Sequence, residues 1–365
     1  MGARPERGGG PTAVSAAMVR IPVVAAAACG LLGLALLVFA LRDATWARAG
    51  RAMGYLDGWA VVAILALSVA SFGAQVARWR VFVSAADRAV PWHVLASYRL
   101  AAWGINYVTP GVQVGGEVLR VAALERRLGV PRGAAVTTVL LDKLVELATS
   151  LVVLLVSVAA TGGVGLVRAG HGEIAVTFAA VAILAVGLAL RAVARGRRPV
   201  ARGTATLGQL FSQCPFLVKP RLRLLRVVAR GERSFAKLVA RSPGIALKSI
   251  AASLASWLFL LAGYAVICGS LGARLAPLQT LAALAVTHVA LQLAPVPGGL
   301  GALEASHIAV FASFGVAPST ALMVAVVIRG RDTLFAAAGL LLAVRNAPVL
   351  VAGGSARPAR RGSSA

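Results

Sequence analysis

The chain of 365 residues is 59% hydrophobic and 13% charged, and its 37 Lys and Arg outnumber 12 Asp and Glu. That leaves too little polar surface for a soluble chain of this length, whereas a polytopic membrane protein needs little. The cysteines, Cys29, Cys214 and Cys268, lie far apart, which argues against a disulfide framework or a zinc site.

A basic tail, residues 1–20, precedes an apolar run over 21–41. Ala47-Arg48-Ala49 offers a cleavage-like pattern, but the run exceeds the roughly 7–15 residues of a signal core, so it is expected to stay as a first span. Further runs cover 59–83, 133–160, 174–194, 245–270 and 318–343, each near or above the roughly 20 residues that cross a bilayer. Between the fourth and fifth, residues 195–244 carry 12 Lys and Arg against the single acid Glu232. The positive-inside rule makes that loop cytoplasmic. Residues 220–241 place Leu222, Leu225, Val228, Phe235 and Leu238 near one helical face among arginines. This fits a basic helix on the membrane surface, or simply an anchor of orientation, rather than a nucleic-acid site. A basic tail, 346–365, closes the chain.

Two segments inside the apolar portion are poor spans, "NYVTPGVQVGGE" (106–117) and "QLAPVPGGLGALE" (292–304). In the first, Pro110-Gly111 is followed by Glu117, Pro131 and Asp142; in the second, Pro297-Gly298 is followed by Glu304, Pro318 and Arg329. The steps of seven, fourteen and eleven residues are identical, which indicates an internal duplication. If 92–124 dips in and returns, Arg78–Arg80, Arg126–Arg132 and both termini share the cytoplasmic side with the loop. A matching dip over 277–316 from the outer face leaves only Arg42, Arg48, Arg51, Arg168 and Arg274 outside. The expected fold is therefore an all-α polytopic membrane protein of about six full transmembrane helices plus two re-entrant helical hairpins, arranged as an inverted-topology repeat. Repeat A runs over about 59–160 and repeat B over about 245–343, inside a membrane domain of 21–345.

The breaks themselves suggest a site. Pro110, Gly111, Gly115 and Gly116 on one side, and Pro295, Pro297, Gly298, Gly299 and Gly301 on the other, would end one half-helix and turn the chain. Free backbone N–H groups then remain at the start of the next half-helix, where an anion is favoured. Glu117 and Glu304 either cap those half-helices or bind a proton, a cation or an amine headgroup. Asp142, Lys143 and Glu146, and Arg329, Arg331 and Asp332, lie within apolar stretches and should face inward, because an unpaired charge costs several kcal/mol there. Asp142 is expected to pair with Arg329 or Arg331 across the repeat axis, either at a substrate site or as a plain helix–helix ion pair. Arg99 and Arg120 could hold a phosphate or snorkel to the interface. Trp103 and Tyr107 fit a headgroup belt better than a cavity wall. His93, His171, His288 and His307 are scattered, so no metal and no cofactor is expected.

Several landmarks together resemble the lysylphosphatidylglycerol synthase transmembrane region, a flippase-like membrane family, over roughly 20–345. They are "RWRVF" (78–82), Asn106 with "PGVQVGGEVLR" (110–120), "ERRLGVPRGAAVTTVLLDKLVEL" (125–147), "SWLFLLAGYAVICGSLG" (256–272), "PVPGGLGALE" (295–304) and Arg329. The resemblance implies lipid handling in the cytoplasmic membrane, with Asn106 among the binding residues. In two-domain relatives this region translocates an aminoacylated phospholipid made by a soluble C-terminal domain. No such domain is read in this sequence, so no aminoacyl transfer is expected, and Lys143 stands where relatives often carry arginine, a weaker bidentate partner for phosphate. The expected function is translocation of a phospholipid or polyprenyl-phosphate-linked lipid, with membrane lipids bearing anionic or phosphate headgroups as partners. The alternatives are an integral membrane transferase on a lipid-linked substrate, which the lack of a D-x-D, of paired aspartates and of a nucleophile beside a histidine in the sequence argues against, or a non-transporting partner of envelope-lipid enzymes.

Overall fold

The computed structural model describes residues 54, 56–86, 90–109, 115–161, 243–294 and 296–352. The expected spans 21–41 and 174–194, nearly all of the basic loop, and Pro110, Gly111 and Pro295 lie outside these residues. The regular elements described are all helical. In chain order they are α1 (Gly58–Ser84), α2 (Trp92–Val108), α3 (Gly115–Arg126), α4 (Arg132–Ala160), α5 (Pro243–Ser270), α6 (Pro277–Leu293), a 3-10 turn (Pro297–Gly299), α7 (Ala302–Ser313) and α8 (Pro318–Ala352).

The eight helices form two sets of four, with lengths of 27, 17, 12 and 29 residues in the first and 28, 17, 12 and 35 in the second. Their contacts match as well. Within the sets, α2 packs on α3 and α3 on α4, as α6 does on α7 and α7 on α8; between them, α2 packs on α8 and α6 on α4. The duplicated spacing of the sequence is thus a duplicated set of helices.

Proline sets the ends. Thr109, before Pro110, is extended at φ −88°, ψ 126°, and Ala294, before Pro295, is extended at φ −62°, ψ 124°. A residue preceding proline is pushed out of the helical region, so α2 and α6 stop at matching points. Pro131 precedes the first residue of α4, and Pro277 and Pro318 open α6 and α8, where a missing N–H costs nothing.

Each set has its own apolar core. Val76, Trp79, Leu95, Tyr98, Leu124 and Val139 fill the first. Tyr264, Ile267, Leu284, Phe311, Val324 and Ile328 fill the second. The seams between sets use small residues. On α1 and α5, the Ser71 hydroxyl lies 3.0 Å from the carbonyl oxygen and from the hydroxyl of Ser256. Where α2 crosses α8, a Cβ on Gly104 would sit 2.6 Å from the Leu340 nitrogen, and one on Gly339 would strike the Leu100 carbonyl oxygen. Such close approach holds helices together where apolar side chains gain little from leaving lipid.

The surface is apolar and the interior charged. Leu247, Val118 and Leu341 are 71%, 68% and 73% exposed, while Arg78, Arg120 and Asp142 are 2%, 2% and 0% exposed. In water this arrangement would be inverted. Helices α1 and α5 are long and apolar enough to cross a bilayer, with mean hydropathies of 2.1 and 2.0. Helices α4 and α8 occupy the other two expected spans described here and carry the charges.

Candidate functional site

Asp142 sits within α4 and gathers three arginines from three other helices. Arg78 of α1 donates from Nε at 2.8 Å, Arg99 of α2 from Nη1 at 2.6 Å and Arg120 of α3 from Nη2 at 2.6 Å. One carboxylate thereby ties together all four helices of the first set. Glu146, one turn along α4, accepts from Arg78 at 2.9 Å and Arg99 at 3.5 Å, with Lys143 at 3.2 Å. Glu117 accepts from Arg120 at 2.7 Å, and the Arg120 guanidinium stacks 4.1 Å from the Trp79 ring centroid. Arg78 also reaches Ser253 of α5 at 3.0 Å, and Arg99 reaches Gln75 at 3.1 Å. Four cations thus meet three carboxylates, and the cluster keeps positive charge for an anion.

A cavity of about 190 Å³ opens onto this cluster. Arg99, Asn106, Glu117, Arg120 and Lys143 line it from the first set, and Arg331 and Asp332 from α8. Gly298 and Gly299 border it from the second hairpin. Asn106 has a structural part as well, since its Oδ1 accepts from the Gly116 N–H at 2.6 Å and so fixes the start of α3. A third wall is neutral: Gln292 lies 2.7 Å from His288, whose ring packs edge-on 4.9 Å from that of Trp257.

Asp142, Glu304 and Arg329 are absent from the wall, and the expected pairing of Asp142 with Arg329 or Arg331 does not exist. Arg329 instead donates from Nε to Glu304 at 2.8 Å and from Nη1 to the Gly298 carbonyl at 3.1 Å, and Arg331 pairs with Asp332 at 2.8 Å. The reason is local. Three guanidinium groups already occupy both oxygens of Asp142, and each remaining charge finds its counter-ion nearby. Glu304 does act at the start of its half-helix, accepting from the Gly301 N–H at 3.0 Å, but it is an ion-pair partner too. Of the described glycines expected to shape the breaks, Gly115 and Gly116 open α3, whereas those of the second break are left-handed. Gly298, Gly299 and Gly301 hold φ of 59°, 59° and 79°, a left-handed region that disfavours side chains.

Three further expectations change. Arg99 does not snorkel; it is 7% exposed with its head on Asp142. Trp103 and Tyr107 line the cavity instead of forming a belt, Trp103 packing 5.1 Å from Phe335 and Tyr107 lying 3.3 Å from the Thr333 hydroxyl. Arg78, counted with Arg80 as cytoplasmic charge, is buried while Arg80 is exposed. The cavity is also lined by Gln75, Arg78, His288 and Gln292, which the sequence did not point to as site residues, and by Glu146, expected only to face inward. Only Glu146 carried a signal: it stands four residues after Asp142, on the same helical face.

Apolar exterior, apolar spans and a charged interior cavity define a helical integral membrane domain. The chain belongs to the family described as the lysylphosphatidylglycerol synthase TM region, whose model matches residues 23–339. No curated protein and no solved structure matches it significantly.

Proposed function

We propose that this protein is a lipid translocator of the cytoplasmic membrane, passing a phosphate-bearing headgroup through the central cavity while the acyl chains stay in the bilayer. The observation that carries this reading is the cavity itself: a polar chamber with surplus positive charge, inside a domain whose outer face is apolar. A phosphodiester would take the place of a carboxylate on Arg99 or Arg120 through charge-assisted hydrogen bonds. Catalysis is not part of this reading, and the walls hold cations and carboxylates already committed to one another.

The membrane arrangement that goes with it is an inverted-topology repeat. Helices of 17 and 12 residues extend about 25 and 18 Å at about 1.5 Å per residue, short of the roughly 30 Å hydrocarbon core. Such pairs suit re-entrant hairpins, which lipid tolerates only where the broken backbone is buried or faces a cavity. The termini and the loop 195–244 would lie in the cytoplasm. Leu128→Cys, in a background without Cys29, Cys214 and Cys268, is then expected to be labelled from the cytoplasmic side; labelling from outside would overturn the first hairpin.

The test of function uses the purified protein in liposomes carrying fluorescently labelled phosphatidylglycerol. Protein-dependent movement between leaflets is expected. Arg331→Ala should slow it about tenfold, or about 1.4 kcal/mol; it also strands the buried Asp332 carboxylate, a stability cost that thermal unfolding of the same variant reads separately from transport. No movement with wild-type protein would favour a partner subunit without transport activity.

A further inference from the structure

We propose that His307 is a proton-binding site whose occupancy releases the second hairpin from α8, which, resting on the translocation reading above, makes headgroup movement proton-dependent. His307 lies on α7 and is 0% exposed. Its Nδ1 lies 2.8 Å from the carbonyl oxygen of Leu303, and that contact requires the hydrogen on Nδ1. Nε2 therefore holds a lone pair, yet it is buried and makes no hydrogen bond. Packing beside Tyr264 and Phe311, at ring-centroid distances of 6.0 and 5.8 Å, needs no such nitrogen. The ring presents an idle base to the protein interior.

The duplicated register gives that base a role. His307, Glu304 and Arg329 stand at the places that Arg120, Glu117 and Asp142 hold in the first set. There, Glu117 grips Arg120 three residues along the same helix. In the second set Glu304 has the same spacing to His307 but is turned to Arg329, at 2.6 Å. A proton on Nε2 makes His307 a cation where Arg120 is one, and it then competes with Arg329 for Glu304. Tyr264 of α5 and Phe311 of its own helix stand beside the ring, and the carboxylate that acts on it is Glu304, itself paired with Arg329 of α8. Once Glu304 turns away, Arg329 keeps only its bond to the Gly298 carbonyl. The turn Pro297–Gly299, which borders the cavity, is then held to α8 by that single bond and loosens. Loss of the proton restores the Glu304–Arg329 pair and closes the hairpin.

The experiment places a nitroxide at Val296→Cys, beside that turn, in full-length protein whose Cys29, Cys214 and Cys268 are alanine, held in phosphatidylglycerol nanodiscs. As pH falls from about 8 to about 4, the ratio of mobile to immobile spectral components is expected to rise about fivefold. His307→Asn, and His307→Phe as a ring-preserving second variant, should keep the hairpin immobile at both pH values. Glu304→Gln should leave it mobile at both. A wild-type spectrum that ignores pH, or a pH response that survives both His307 variants, overturns the proposal. Proteoliposomes from the same preparations separate the two readings. An acid-released hairpin in protein that moves no lipid would sink translocation and leave the proton site standing; lipid movement with equal rates in wild type and His307→Phe at every pH would do the reverse.

Discussion

Asp142→Asn is expected to cost about 3–5 kcal/mol, the usual penalty for removing one partner of a buried ion cluster. Asparagine keeps the shape but leaves Arg78, Arg99 and Arg120 without the carboxylate that both of its oxygens now supply. Glu146 keeps its contacts to Arg78 and Arg99 and Glu117 keeps Arg120, but Glu146 is shared with Lys143 as well, so two carboxylates are left against four buried or half-buried cations. Thermal unfolding of purified protein in detergent measures the loss. The same measurement identifies the partners. Arg99→Gln in the Asp142→Asn background should be less damaging than the two changes added, because it removes one stranded cation. Arg329→Gln should simply add, as independent sites do. An unchanged melting temperature for Asp142→Asn, or strong coupling to Arg329 alone, would contradict the arginine cluster.

Gly116→Val is the other large effect. A Cβ at Gly116 would land on the backbone carbonyl of Ala102, and backbone cannot rotate away as a side chain can. Helices α2 and α3 would have to separate, breaking the Asn106–Gly116 hydrogen bond and drawing Arg120 off Asp142. The expected result is loss of monodisperse protein rather than a small shift, beyond the roughly 1–3 kcal/mol of ordinary overpacking. Gly115→Ala supplies the control. Its Cβ would meet only the Thr109 side chain, at 3.0 Å, which can yield. If both variants purify equally well, the close approach of the two helices is wrong.

The parts legible in the sequence were those written in local spacing. Proline and glycine act on the residues beside them, so the breaks at Thr109 and Ala294 and the duplication could be read from the chain. Ion pairing could not. Whether Asp142 meets Arg329 or three arginines depends on which helix faces are brought together, and α1, α2 and α3 approach α4 from separate stretches. Arg78 shows the difficulty within two residues. Arg78 and Arg80 look alike in "RWRVF", yet two residues turn a helix by about 200°, which sends one to the Asp142 carboxylate and the other to the surface. Trp103 and Tyr107 were misplaced because an aromatic residue near a presumed boundary fits either a headgroup belt or a wall.

The crossing of α2 over α8 also constrains how the chain is made. Gly104 finds its seat against Gly339, on the last helix described, so α8 has to be made before the first hairpin can dock. Until then α2 and α3, with Arg99 and Arg120, wait with one flank uncovered. The other hairpin can begin to dock sooner, through α6 on α4, but its α7 also packs on α8. Both hairpins are therefore completed by the same last helix. Truncation anywhere before α8 should leave a protein inserted but unable to close its arginine-lined half, a natural substrate for membrane quality control.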